Sequence, residues 1–212
     1  MKLNIECEYN AEFYKACSEF AWPFYRIFKV SNPHILIKNL KNGHSLFKKF
    51  PELAPMNNIY QDKKNNHSLF SHSVKVLEYT YEQTKDPTTL IAAFLHDYGK
   101  IFTYDEKFKF HDKIGLEKVE EFLIKYKVGS SQIHFIKLIM KNHTRVSQYQ
   151  RNPNWKKQAF ISFMNETHPY TFEIIKVARA DKKSSHNFDI YLSPFKTFED
   201  KCVEILENRI SC

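Results

Sequence analysis

The sequence predicts an all-α fold of roughly eight or more helices, and three observations support this prediction. Apolar residues recur at helical spacing along almost the whole chain, and no segment alternates convincingly between apolar and polar residues as a surface strand does. Only 4 Gly and 8 Pro occur among the 212 residues, which disfavours a turn-rich β-architecture. The hydrophobic share is 42%, with 19 Phe and 12 Tyr, so the chain can form a sizeable core.

The part of the chain before residue 68 is predicted to contain a first helix and then one or two short helices. Phe13 and Phe20 lie on one face of the first helix. The short helices are broken by Gly43 and Pro51. A joint is expected near residues 51 to 66, where prolines and the polar stretch QDKKNN interrupt the apolar pattern.

The strongest helical pattern begins near residue 68. Its apolar stripe consists of Phe70, Val74, Leu77 and Tyr81. Pro87 suits the first turn of the next helix, which is predicted to run to about Tyr98 because Gly99 is a natural C-terminal stop. Five further helices are predicted after a polar loop, in the segments IGLEKVEEFLIKYK, SQIHFIKLIMKNH, WKKQAFISFMNET, TFEIIKVARADKKS and FEDKCVEILENRI.

Composition limits the expected location and partners. No apolar run reaches the ~18 residues of a transmembrane helix, and the N-terminus lacks the apolar core of a signal peptide. The cysteines have no metal-like spacing and indicate free thiols, so a cytoplasmic location without membrane contact or an obligate protein partner is expected. They are Cys7, Cys17, Cys202 and Cys212. The formal net charge of +8 attracts phosphate-bearing partners, although such a charge also serves solubility alone.

Four polar residues are predicted to point into the core. Asp97, His143 and Asp181 each stand three, four and seven residues after apolar residues, and His72 lies near the start of its helix. Because burying a lone carboxylate is costly, such groups are usually paired or bound to a metal ion. A single divalent cation that gathers the carboxylates and imidazoles would satisfy them together.

Each of these residues also has a purely structural interpretation. A single histidine on an apolar face is usually a core residue with a hydrogen bond, and an inward aspartate can cap a helix or pair with Arg145 or Arg179. The adjacent pair His96 and Asp97, with an inward histidine before it and an inward aspartate after it, is more specific for a metal site.

Together these residues resemble the signature of the HD-domain phosphohydrolase superfamily, which is a histidine, a His-Asp doublet and a distant aspartate. Here the signature is His72 in FSHSVKVLEY, His96 and Asp97 in FLHDYGK, and Asp181 in ARADKKS. The resemblance implies an HD-domain helical bundle in which these four side chains hold a divalent metal ion. Mn²⁺, Ni²⁺, Co²⁺, Fe²⁺ and Mg²⁺ all tolerate mixed histidine and carboxylate ligands.

Two more histidines match positions that relatives use for a second metal ion or for the substrate phosphate. They are His111 in KFHDKIGLEKVEEF and His143 in MKNHTRV, so one or two ions are expected. The order of motifs over residues 46 to 185 is similar to the HD region of bacterial CCA-adding tRNA nucleotidyltransferases, and the approach segment beginning FPEL is the most specific part. The gap between His67 and His72 looks shorter than in many of those enzymes, so His67 is given no role.

The resemblance also implies a division of the chain. Residues 1–50 are expected to form an N-terminal helical extension, residues 51–190 the HD phosphohydrolase domain, and residues 191–212 a C-terminal helix packed on the same domain. No Gly-Ser-rich loop followed by paired acidic residues precedes residue 46, so neither a nucleotidyltransferase head nor CCA addition is expected.

The expected reaction is metal-assisted hydrolysis of a phosphoester in a nucleotide or an RNA end, such as a 2′,3′-cyclic phosphate. A nucleoside mono- or triphosphate hydrolase and a non-catalytic RNA-binding HD module are the alternatives. The expected catalytic residues are Asp97, Lys100, His111 and His143, although Lys100 has an alternative interpretation as a solvated cation at a helix end. Candidate substrate contacts, besides Lys100, lie next to the proposed site residues: Asn142, Arg145, Lys182, Lys183 and Ser184.

Overall fold

The computed structural model describes residues 24–62, 67–103, 111–151, 154–184 and 192–210, which form an almost entirely helical bundle. The all-α prediction is therefore confirmed. The helix predicted around Phe13 and Phe20 lies outside the described residues, as do Cys7, Cys17 and Cys212.

The helices of the first part are short. They are α1 Phe24–Ile27, α2 Pro33–Asn42, α3 Ser45–Lys49 and the 3₁₀ helix η1 Pro51–Asn57. Gly43 caps the C-terminus of α2 and Pro51 opens η1, so both residues interrupt the helices as predicted. Two strands, β1 Tyr60–Asp62 and β2 His67–Ser68, then pair antiparallel. The sequence predicted no strand, because segments this short cannot show a period of two.

The helices of the second part are longer. They are α4 Leu69–Gln83, α5 Pro87–Leu95, the 3₁₀ helix η2 Tyr98–Phe102, α6 His111–Lys125, α7 Ser130–Arg151, α8 Lys157–Thr167, α9 Thr171–Ser184 and α10 Leu192–Ile210. The side chain of Ser68 caps α4 and that of Asp86 caps α5, each by accepting a backbone N–H of the first turn. No helix within the described ranges is long and apolar enough to cross a bilayer.

Helix α5 ends earlier than the sequence predicted. The expected end was near Tyr98, whereas α5 ends at Leu95 and η2 follows. Asp97 therefore lies between two helices, with φ −108° and ψ 14°, instead of on a helical face. Gly99 is needed for a close contact and does not act as a helix stop, since a Cβ there would lie 2.7 Å from the Cα of Gly115 in α6.

One hydrophobic core runs through the described residues. Buried side chains from Phe24 in α1 to Ile205 in α10 belong to a single cluster. The Phe24 ring lies 5.0 Å from the Phe122 ring of α6, and the Phe198 ring of α10 lies 5.1 Å from the Tyr149 ring of α7. Both flanking parts thus pack on the central helices, while the boundaries at residues 50 and 190 stay predictions.

Candidate metal centre

Four side chains from distant parts of the chain meet inside the bundle. His72 lies on α4, His96 and Asp97 follow α5 directly, and Asp181 lies on α9. His72 Nε2 is 3.2 Å from Asp181 Oδ1 and 3.2 Å from His96 Nε2. His96 Nε2 is also 3.2 Å from Asp97 Oδ2. We call these four residues the His–Asp cluster; they are the residues that the resemblance implied as metal ligands.

Backbone carbonyls orient two imidazole rings in this region. His96 Nδ1 lies 2.8 Å from the Ala93 carbonyl oxygen, and His143 Nδ1 lies 2.7 Å from the Met140 carbonyl oxygen. Because a carbonyl oxygen can only accept a hydrogen bond, each Nδ1 carries a proton and donates it. In the neutral ring, Nε2 then keeps a free lone pair, which is the form that binds a metal ion.

Neighbouring groups keep both carboxylates of the cluster charged. Burial raises the pKa of Asp97, but the Lys100 ammonium and the His96 ring outweigh it and hold this pKa well below its usual range. Burial also raises the pKa of Asp181, but the close contact with His72 Nε2 and the attraction of His96 lower it further than burial raises it. Burial lowers the pKa of His96, yet Asp97 and Asp181 shift it upward overall. The cluster therefore stabilises added positive charge, whether protons or a metal ion.

Within the part of the chain that the structure describes, two overlapping groups of side chains could hold a metal ion. One consists of His72, His96 and Asp181, and the other of His96, Asp97 and His143. Within each group, the ligand atoms lie within 4.8 Å of one another. Burial and the neighbouring His96 lower the pKa of His143, which favours the neutral ring that a metal ligand requires. Imidazole nitrogen and carboxylate oxygen together suit a divalent cation.

Two further predicted site residues contact Asp97. His111 is the first residue of α6, and its Nε2 lies 3.4 Å from Asp97 Oδ1. The Lys100 ammonium lies 2.6 Å from Asp97 Oδ2, and only 13% of the Lys100 side chain is exposed. Lys100 is thus an ion-pair partner of the cluster and not a solvated cation. The part that both residues take in catalysis stays a prediction.

The substrate contacts predicted on α7 have protein partners. Asn142 is fully buried, donates to the Leu138 carbonyl oxygen at 3.0 Å and accepts from Arg145 at 2.8 Å. Arg145 also pairs with Glu166 of α8 at 2.6 Å. Lys182 is half-buried on α9. Substrate contact by Asn142, Arg145 and Lys182 stays a prediction.

Sequence reasoning did not foresee two contacts of His72. Ser184, considered there as a substrate contact, has its Oγ 2.9 Å from His72 Nδ1. Its position three residues after Asp181, on the same helical face, indicates proximity to the site but not the contact with His72. The His67 ring, which was given no role, stands edge-on to the His72 ring at 6.3 Å between centroids. The β1–β2 pairing places His67 there, and the sequence contains no sign of that pairing.

The cluster is open on one side. The exposed fraction of the side chain rises from 0% at His96 and 7% at Asp97 to 19% at His111 and 22% at Asp181. His111 and Asp181 are therefore the more solvent-accessible side chains of this region, while His96 lies at its closed end.

Comparison with known protein families agrees with this geometry. The model of the family described as HD domain matches residues 69–185, which is more than half of the chain. All four residues of the His–Asp cluster lie inside the matched range, and so do His111, His143 and Ser184. No curated protein matches the chain.

Proposed function

Because the chain belongs to the HD domain family, whose members are generally metal-dependent hydrolases, we propose that it hydrolyses a phosphoester at the His–Asp cluster. The observation that carries this proposal is the mutual contact of two imidazoles and two carboxylates inside the bundle. Burying such groups is costly unless they are paired, hydrogen-bonded or bound to a metal ion, and a divalent ion suits this set of donors.

Asp97 is proposed to have two tasks. The chemistry that a bound divalent ion supplies is a polarised phosphoryl oxygen and a lowered pKa of bound water. Asp97 Oδ2 lies beside His96, and its Oδ1 lies beside His111 on the more open side. One carboxylate oxygen can therefore hold the ion while the other orients the attacking water. The proposed ligands of the ion are His72, His96, Asp97 and Asp181.

Three groups around Asp97 and His96 are proposed to act on the phosphate. His111 lies on the open side, where its ring can donate a hydrogen bond or a proton to a phosphate oxygen. The His143 ring lies 5.1 Å from the His96 ring and serves the phosphate or a second ion. Lys100 adds a positive charge next to Asp97, where it can offset the negative charge of the phosphate.

We propose a nucleotide or an RNA end as the substrate, with a 2′,3′-cyclic phosphate as the leading candidate. Support comes from the net charge of +8, which attracts polyanions, and from a motif order similar to the HD region of CCA-adding enzymes. Asn142, Arg145 and Lys182 are the proposed substrate contacts, together with Lys100. A nucleoside mono- or triphosphate is the alternative substrate.

A phosphohydrolase screen tests this proposal. Purified protein is loaded separately with Mn²⁺, Co²⁺, Ni²⁺, Fe²⁺ or Mg²⁺ and offered cyclic nucleotides, mononucleotides, nucleoside triphosphates and 3′-phosphorylated RNA. We expect hydrolysis of a cyclic nucleotide or an RNA end, with weaker apparent binding of RNA as the salt concentration rises. Preference for mono- or triphosphates would select the alternative substrate. Metal-loaded protein that binds RNA and hydrolyses none of these compounds would be a non-catalytic binding module.

A further inference from the structure

Ser184, the last residue of α9, makes two hydrogen bonds with its side chain. Its Oγ lies 2.7 Å from the Asp181 carbonyl oxygen and 2.9 Å from His72 Nδ1. The residue is only 7% exposed, so water competes little for these bonds. One side chain thus contacts two residues that are proposed to hold the metal ion.

The direction of both hydrogen bonds follows from the atoms involved. A serine hydroxyl has one proton, and the Asp181 carbonyl oxygen can only accept, so the Ser184 hydroxyl donates to it. Ser184 Oγ must then accept from His72, which means that His72 Nδ1 carries a proton. The neutral His72 ring therefore keeps its lone pair on Nε2, which lies 3.2 Å from Asp181 Oδ1.

His72 is held in a different way from the two neighbouring rings. His96 and His143 donate to carbonyl oxygens three residues earlier in their own segments, so local backbone alone fixes their tautomers. Among these three rings, His72 is the one whose Nδ1 bonds a side chain of another helix, α9. Its orientation consequently depends on Ser184.

We propose that Ser184 is a positioning residue that fixes the tautomer and the orientation of His72 for metal binding. The proposal rests on the metal site of the proposed function. Without the hydroxyl, His72 Nδ1 loses its acceptor, and the tautomer with the proton on Nε2, which cannot bind a metal ion, becomes competitive. Hydrogen bonds of this kind typically change metal affinity by roughly 10–100-fold.

Three variants test this role. Ser184→Ala removes the hydroxyl, and Ser184→Thr keeps it, since a threonine hydroxyl can also bond a carbonyl oxygen one turn earlier in a helix. Ser147→Ala is the matched control: Ser147 is also 7% exposed, and its Oγ makes no hydrogen bond to any described protein atom. Circular dichroism checks that each variant folds.

The first measurement is the affinity for Mn²⁺, obtained by competition with a chelator. We expect Ser184→Ala to bind Mn²⁺ roughly 10–100-fold more weakly, with Ser184→Thr restoring most of the affinity and Ser147→Ala matching the wild type. Wild-type affinity in folded Ser184→Ala would overturn the proposal, and so would equal losses in Ser184→Ala and Ser184→Thr.

The second measurement is nitrogen NMR of the histidine rings in metal-free wild-type protein at alkaline pH. We expect His72 to carry its proton on Nδ1; a proton on Nε2 would overturn the proposal even if Ser184→Ala failed to fold. Neither measurement requires turnover. If the Mn²⁺ affinities and the His72 tautomer are as expected and no hydrolysis is found, only the proposed reaction is refuted.

Discussion

Helix α7 contributes residues to two buried regions, one polar and charged and the other aromatic. His143 faces the His–Asp cluster, and Tyr149, less than two turns later, belongs to a group of aromatic rings. We call this group the aromatic cluster; its members are Tyr149, Trp155, Phe160, Phe163 and Phe198. The centroid of the Phe198 ring lies within 5.6 Å of the centroids of the other four rings.

The two regions depend on different conditions. Edge-to-face contacts and burial stabilise the aromatic cluster without any outside component. The His–Asp cluster contains two carboxylates with lowered pKa values, so it requires protons or a metal ion to balance their charge. We infer that the aromatic cluster contributes stability while the His–Asp cluster serves function. A substitution in the His–Asp cluster should therefore change metal binding, and a substitution in the aromatic cluster should change the free energy of unfolding.

The largest effect is expected from Asp97→Ala. This change removes a proposed ligand and the partner of both Lys100 and His111. Stoichiometric metal binding and hydrolysis should both disappear, while circular dichroism shows that the helices persist. Glu82→Ala is the control, because it removes an exposed carboxylate paired with Lys183, and it should keep both properties. Unchanged metal affinity in Asp97→Ala would show that the ligand assignment is wrong.

Phe198→Ala should weaken the aromatic cluster. Removing a fully buried ring that contacts four others should lower the free energy of unfolding by about 3–5 kcal/mol, measured by denaturant titration. Val203→Ala, on the same helix but 37% exposed, should cost much less. Folded Phe198→Ala should bind metal as the wild type does. Weaker metal binding at temperatures where it is fully folded would show that the two regions are coupled.

His111→Gln and His143→Gln test whether these two rings act on the phosphate next to the His–Asp cluster. If the two rings act on the phosphate as proton donors, each variant should keep the first metal ion and lose about 10²-fold or more in turnover. His134→Gln, which changes an exposed histidine of α7, should be neutral. The measurement is steady-state kinetics together with metal content. Rates near wild type in both variants would contradict a role at the phosphate.

The smallest expected effect is stabilisation by metal. A free Mn²⁺ concentration 100 times the Kd should raise the free energy of unfolding by about 2.7 kcal/mol. The increment is measured as the difference between denaturant titrations carried out with Mn²⁺ and with a chelator. It should be the same in Phe198→Ala and absent in Asp97→Ala. An equal increment in Asp97→Ala would place the ion outside the His–Asp cluster.

The sequence predicted the faces of the helices better than their ends or their contacts. Apolar spacing identified α4, since burial of one face imposes that spacing on any amphipathic helix. The end of α5 was missed because the contact of Gly99 with Gly115 involves two segments that no local pattern relates. The bond between His72 and Ser184 was missed for the same reason: periodicity indicates that a side chain points inward, and not which residue it meets.

That bond joins residues 112 positions apart in the chain. Closing so large a loop costs conformational entropy before the contact compensates for it, so α4 and α9 are expected to meet late in folding. During synthesis, the ribosome must release Asp181 and Ser184 before the site can be completed. Uptake of a metal ion would therefore report that α4 and α9 have met, and the ion would not rescue a chain truncated before α9.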